Sequence, residues 1–303
     1  MMSLRTLAAM VVAPCLLAVA CGPADHVEEN DPLGEVSLAT LPDGSEGSNG
    51  NDPAFYWPHQ LDVVNLAHGP LTVGAVANSP LFYDDDPKGI TTLRKIAACA
   101  LSDGQSLTVV NQTLAKNYTF EGRHGLAPQW LSSALAPQTP STGDISRQRW
   151  VSACLLALLN FDGIEVDVML TGQHPNLQLA GPPELTEYQM VDGTFWGNLF
   201  VPVPGASLQA YACVGDDFWA GCGTFANVLM DSRICDEVPT CGATVLGKCI
   251  GDRSEPGACN ASDPDNAWGP WNCDGGGETY LEAITVVLKN DDFLNNIAIC
   301  SMM

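Results

Sequence analysis

Basic residues are scarce in this chain: 12 Lys and Arg stand against 35 Asp and Glu, a formal net charge of −23. A polyanion of that size repels phosphate backbones and anionic headgroups, which excludes nucleic acid as a partner. Several chemical signatures are missing as well. There is no C-x₂-C pair to seed a zinc site, no C-x-x-C-H to attach haem, and no H-E-x-x-H to build a zincin. No G-x-S-x-G turn is there to present a serine nucleophile between strand and helix. The N-terminal apolar run, Leu7 to Ala20, has only 14 residues, too few to cross a bilayer as a helix.

That run is nevertheless informative. One positive charge at Arg5, the apolar stretch and small residues before Cys21 have the anatomy of a secretory signal. Cys21 directly after the cut predicts a lipoprotein with Cys21 as its acylated first residue. Ordinary cleavage after Ala18-Val19-Ala20 is the rival. Cysteine arithmetic favours lipidation: of 12 cysteines Cys15 leaves with residues 1–20, and a lipidated Cys21 leaves an even ten. Several acyl chains on one residue would anchor the protein stably to a membrane.

Residues 21–55 read as an acidic flexible tether, with eight acids and no Lys or Arg between Gly22 and Ala54. The stretch Gly44–Gly50 within it has nothing to bury. An α+β domain follows over 56–212, expected as a mainly antiparallel sheet with at least two packed helices. Apolar residues at Ile90, Leu93, Ile96, Ala97 and Ala100 predict a helix over 88–101, with Asp86-Pro87 at its start. Val151, Cys154, Leu155 and Leu158 predict a second over 146–160. Each precedes an Asp-Gly turn and a strand, Leu107–Val110 and Ile164–Leu170 respectively, which hints at a duplication. Further strands are expected at Tyr188–Val191, Thr194–Phe200 and Leu208–Cys213, while Ala283–Leu288 stands out as a periodic apolar run in a tail otherwise poor in them.

Cysteine density rises sharply over 213–303, either a separate disulfide-stapled module or stapled loops on the same sheet. In an exported chain the ten cysteines Cys99, Cys154, Cys213, Cys222, Cys235, Cys241, Cys249, Cys259, Cys273 and Cys300 are expected to be oxidised. Cys99 and Cys154 lie on the apolar faces of the two helices, so a bond between them would clamp the pair. Each pairing elsewhere, or staying a buried thiol, is the alternative.

Candidates for chemistry are few. His26 sits in the tether, and His59, His68, His124 and His174 are each set among loop-forming residues. Asp84-Asp85-Asp86 reads as the cap of the helix after it. Asp263, Asp265, Asp274 and Glu278 offer oxygen ligands on Gly-rich loops that suit structural calcium, with solvated turns as the competing reading. No other cofactor is indicated. Trp219, Trp268 and Trp271 could mark a glycan- or protein-binding face, or plug the core of a small stapled module.

The signal, the acidic tether, the segments Arg94-Lys95-Ile96-Ala97-Ala98-Cys99 and Arg149-Trp150-Val151-Ser152-Ala153-Cys154-Leu155-Leu156-Ala157, and the Cys-rich tail together resemble the uncharacterised exported lipoproteins common in myxobacteria. The resemblance implies a bacterial cell-envelope location at the outer membrane, with Gly22 rather than Asp after Cys21 fitting that sorting. It implies no activity. The expectation is therefore a non-catalytic, lipid-anchored protein that binds a protein or glycan. The alternative is a secreted hydrolase whose Asp, Glu and His residues meet only in the fold.

Overall fold

The computed structural model describes residues 46–48, 73–77, 79–83, 87–128, 142–159, 166–177, 187–200, 209–234, 243–251, 257–260 and 272–291. The chain divides into two compact units, Met1–Thr40 and Leu41–Met303, and every described residue lies in the second.

In chain order the elements are β1 (Glu46–Ser48), α1 (Val73–Ala77), α2 (Pro80–Tyr83), α3 (Pro87–Ala100), β2 (Ser106–Asn111) and β3 (Lys116–Glu121). Then come α4 (Thr142–Ala157), β4 (Asp167–Gly172), β5 (Tyr188–Asn198), β6 (Gln209–Val214), α5 (Asp216–Cys222) and α6 (Phe225–Ile234). The last five strands are β7 (Ala243–Lys248), β8 (Cys259–Asn260), β9 (Asn272–Gly275), β10 (Glu278–Tyr280) and β11 (Ala283–Lys289). The fold is α+β. A six-stranded sheet runs β1-β4-β11-β5-β6-β7, antiparallel except for β6 and β7. That parallel pair needs a long crossover, which α5 and α6 supply. A three-stranded sheet β10-β9-β8 and the hairpin β2-β3 stand apart from it.

Period-two alternation gives the large sheet two different faces. Phe195, Ala212, Ile284 and Val286 belong to the main core, shared with α3, α4 and α6. Their neighbours Trp196, Cys213 and Ala283 belong to a second core with Cys249, Cys259, Cys273 and Tyr280. Helices cover one face and a disulfide-rich layer covers part of the other. Since β6, β7 and β11 all join the sheet of β4 and β5, the Cys-rich tail is built into that sheet rather than hung beside it.

The two expected helices form with their apolar stripes buried, and Cys99 and Cys154 are bonded with Cα atoms 6.0 Å apart. α3 packs so closely on α2 that a Cβ on Gly89 would overlap the carbonyl of Leu81. The two helix-turn-strand units diverge, however. β2 pairs with β3 in a separate hairpin, whereas β4 enters the large sheet. The hint of duplication therefore does not extend to the strands. Part of the expected tether is also ordered, because Glu46, Gly47 and Ser48 pair with Met169, Val168 and Asp167. An edge strand is held by backbone hydrogen bonds and needs no apolar side chain, so composition does not disclose it.

Candidate functional site

His124 follows β3, where its N–H and that of Arg123 donate to the carbonyl of Ala98 at 2.8 and 3.1 Å. Asn176 clamps the same turn, its Nδ2 donating to the carbonyls of His124 and Gly125. Burial drives the imidazole pKa down to about 3, with Arg123 and Lys95 adding to the fall. The ring is a neutral wall residue, and the charges acting on it are cations. His174 is also held below its usual range by burial, against a hydrogen bond to the Leu126 backbone. Its ring meets Trp150 edge-on at 5.1 Å. Among the described residues no group of three His, Cys, Asp or Glu is placed to hold a metal ion. His26, His59, His68, Asp84-Asp85-Asp86, Trp268 and Trp271 lie outside the described residues.

The calcium candidates divide. Asp263 and Asp265 lie outside the described residues. Asp274 pairs in register with Thr279, and Glu278 with Gly275, so their side chains leave opposite faces of the β9–β10 hairpin. Asp274 accepts from the Thr279 hydroxyl at 2.6 Å, and Glu278 pairs with Arg149. The Gly-rich loop makes the chain reversal. Gly276 and Gly277 have φ of 59° and 86°, the double positive φ of a tight two-residue hairpin turn. Gly275 lets Tyr211 lie on the backbone, since a Cβ there would stand 2.7 Å from the ring. Trp219 is half-buried against the main core with Lys248 over its ring, so it packs on that core rather than in the cysteine-rich cluster.

Three disulfides are described: Cys99–Cys154, Cys213–Cys249 and Cys259–Cys273. Cys222 is disulfide-bonded as well. Cys21, Cys235, Cys241 and Cys300 lie outside the described residues. Bonds of this number place the folded protein in an oxidising, extracytoplasmic compartment. No helix among the described residues is long and apolar enough to cross a membrane.

One cluster was not foreseen from sequence. Arg149 of α4 stacks its guanidinium 4.5 Å from the Tyr280 ring centroid and pairs with Glu278 and, at 4.0 Å, with Glu282. Glu282 in turn accepts from the Ser146 hydroxyl at 2.6 Å. Tyr280 leads to Tyr211 at 5.9 Å and Tyr211 to Trp196 at 6.0 Å, a continuous run of rings. Within it Arg149 Nε, Tyr280 Oη and Trp196 Nε1 are buried with no hydrogen-bond partner among the described residues. Burial foremost, then Tyr211, pushes the Tyr280 hydroxyl up to about 12, so it stays protonated and able to donate. Spacing could not reveal this group, which draws on α4, β5, β6 and β10. No family model, curated protein or solved structure matches the chain.

Proposed function

We propose that the protein is a lipid-anchored, non-catalytic binding protein of the bacterial cell envelope, held at the outer membrane through Cys21, and that its ligand is a glycan. The observation that carries this reading is the set of three buried donors in one aromatic cluster with no acceptor among the described residues. Such groups cost free energy unless something satisfies them, and a ligand rich in hydroxyl or ring oxygens supplies acceptors for all three. Tyr and Trp rings suit the apolar faces of sugars, being large with one polar edge. Trp196 and Tyr280 are fully buried, so a ligand reaches them only when the Arg149–Glu278 pair over Tyr280 opens, and the Glu278 side chain is 52 % exposed. An ion pair so exposed is worth at most about 1 kcal/mol, so Glu278 can swing aside at little cost.

The test uses glycan arrays and calorimetry on the mature chain. Tyr280→Phe keeps the ring and removes its hydroxyl donor, and Trp196→Phe removes the indole donor together with part of a fully buried ring. Each is expected to weaken binding of an array-selected glycan about tenfold, the worth of one buried hydrogen bond. Tyr280→Phe should leave Tm unchanged or raise it, because it deletes an unsatisfied hydroxyl. An array without any glycan bound, binding only to peptide ligands, or full affinity in both variants overturns the reading.

Anchoring has its own measurement. Metabolic labelling with a fatty acid should mark the wild type and not Cys21→Ala, and the label should follow the membrane fraction. Unlabelled wild-type protein in the soluble fraction overturns it.

A further inference from the structure

Two disulfides meet where the small sheet covers the large one. Cys213–Cys249 joins β6 to the residue after β7, and Cys259–Cys273 joins register partners on β8 and β9. Cys213 Sγ and Cys259 Sγ, from different bonds, stand 3.6 Å apart. Both sulfurs are oxidised, so this is van der Waals contact and not a thiol hydrogen bond. All four cysteines are buried in one cluster with Trp196 and Tyr280. The N–H of Cys259 donates to the carbonyl of Cys249 at 2.9 Å, which holds the two segments in register.

We infer that these four cysteines form a thiol–disulfide exchange site, operated by an external dithiol reductant and able to move a covalent link from within each sheet to between the sheets. Exchange requires a thiolate with access to a disulfide sulfur. Here one sulfur already touches its target. Cys259 is the most open of the four, 4 % exposed against 0–1 % for the others, and β8 is only two residues long. Local opening therefore reaches Cys259–Cys273 first.

In the first step the external dithiol becomes a disulfide and passes two electrons and two protons to Cys259–Cys273, giving two thiols. Cys259 then loses its proton and attacks Cys213 Sγ. The Cys213–Cys249 bond breaks, its electron pair leaves on Cys249, and Cys249 takes up a proton. A Cys213–Cys259 bond results, with thiols at Cys249 and Cys273. The two sulfurs must close by about 1.5 Å to reach bonding distance. The new bond ties β6 of the large sheet to β8 of the small one, where the first pairing links only β6 with the β7 end and β8 with β9. The ring run from Trp196 to Tyr280 spans that same junction.

The experiment is partial reduction of the full mature chain with substoichiometric dithiothreitol at mildly alkaline pH, followed by alkylation and non-reducing peptide mapping. Chains that have gained two labels within this cluster are expected to carry them mainly on Cys249 and Cys273, with a peptide linked through Cys213–Cys259. Labels confined to the original partners, Cys259 with Cys273 or Cys213 with Cys249, overturn the inference. The variant Cys273→Ser repeats the test without reductant, since it starts with a thiol at Cys259. Its label should appear on Cys249, and label on Cys259 alone overturns the inference equally.

Discussion

Replacing Cys99 and Cys154 together by alanine is expected to lower stability by about 4 kcal/mol and Tm by roughly 10 °C. The two cysteines are 55 residues apart in sequence, and closing a loop of that length removes much of the entropy of the unfolded chain. Both side chains are fully buried between α3 and α4, so the double substitution also leaves a small void. The double variant is the informative one, because a single substitution would leave a thiol to exchange with other pairs. α3 packs with the β2–β3 hairpin and α4 with β5, so the bond connects two parts of the core that are far apart along the chain. Thermal and urea unfolding under non-reducing conditions measure the loss. A fall below about 1 kcal/mol would mean that the helices are already held as firmly by their apolar contacts, and would remove the bond from the account of stability.

This pairing was legible because both helices carry an uninterrupted apolar stripe with the cysteine on it. The clearest alternation in the sequence also became a strand, at Val168–Leu170. Where reading failed, the cause is local. Asp192-Gly193 looked like a break between two strands, yet β5 runs straight through it. Glycine stands there because a Cβ would meet the Cys213 carbonyl at 2.6 Å and the Met230 side chain. α6 buries Ala226, Met230 and Ile234, an i, i+4, i+8 line too narrow to stand out beside the cysteines. β3 shows only Tyr118 and Phe120 inward, and its place is fixed by pairing with β2 rather than by its own pattern.

The candidate site was less legible for a different reason. Arg149 sits in a helix whose apolar residues point to the core, so its sequence context says nothing of Tyr280 more than a hundred residues later. Asp274 and Glu278 looked like a pair because they are close in sequence. A strand reverses side-chain direction at every residue, and the hairpin register set them on opposite faces. Glycine in the same loop answered a backbone need, positive φ and close approach to Tyr211, that composition alone assigns equally well to a metal loop.

Acid is expected to destabilise the protein through His124, by up to about 1.4 kcal/mol for each pH unit below 6.5. In the unfolded chain this imidazole takes up a proton at its ordinary value of 6.5, whereas in the fold burial, Arg123 and Lys95 hold it neutral to about pH 3. Between those values the unfolded state binds more protons than the native state, so stability rises with pH there and is flat above. The contribution is fully present at neutral pH and is lost as pH falls through the window. Asp216 works in the opposite direction, since burial and then Asp217 hold its carboxyl above the usual range. Partial neutralisation of a chain carrying −23 also relieves self-repulsion on acidification. These opposing effects are common to the wild type and to His124→Gln, whose side chain stays neutral throughout, so the comparison isolates the imidazole. Urea unfolding at pH 7.0 and pH 4.5 should show the stability difference between them moving in favour of the variant by about 2.5 kcal/mol on acidification. A difference independent of pH would mean that His124 can accept a proton in place, and that its cationic neighbours and its burial do not govern it.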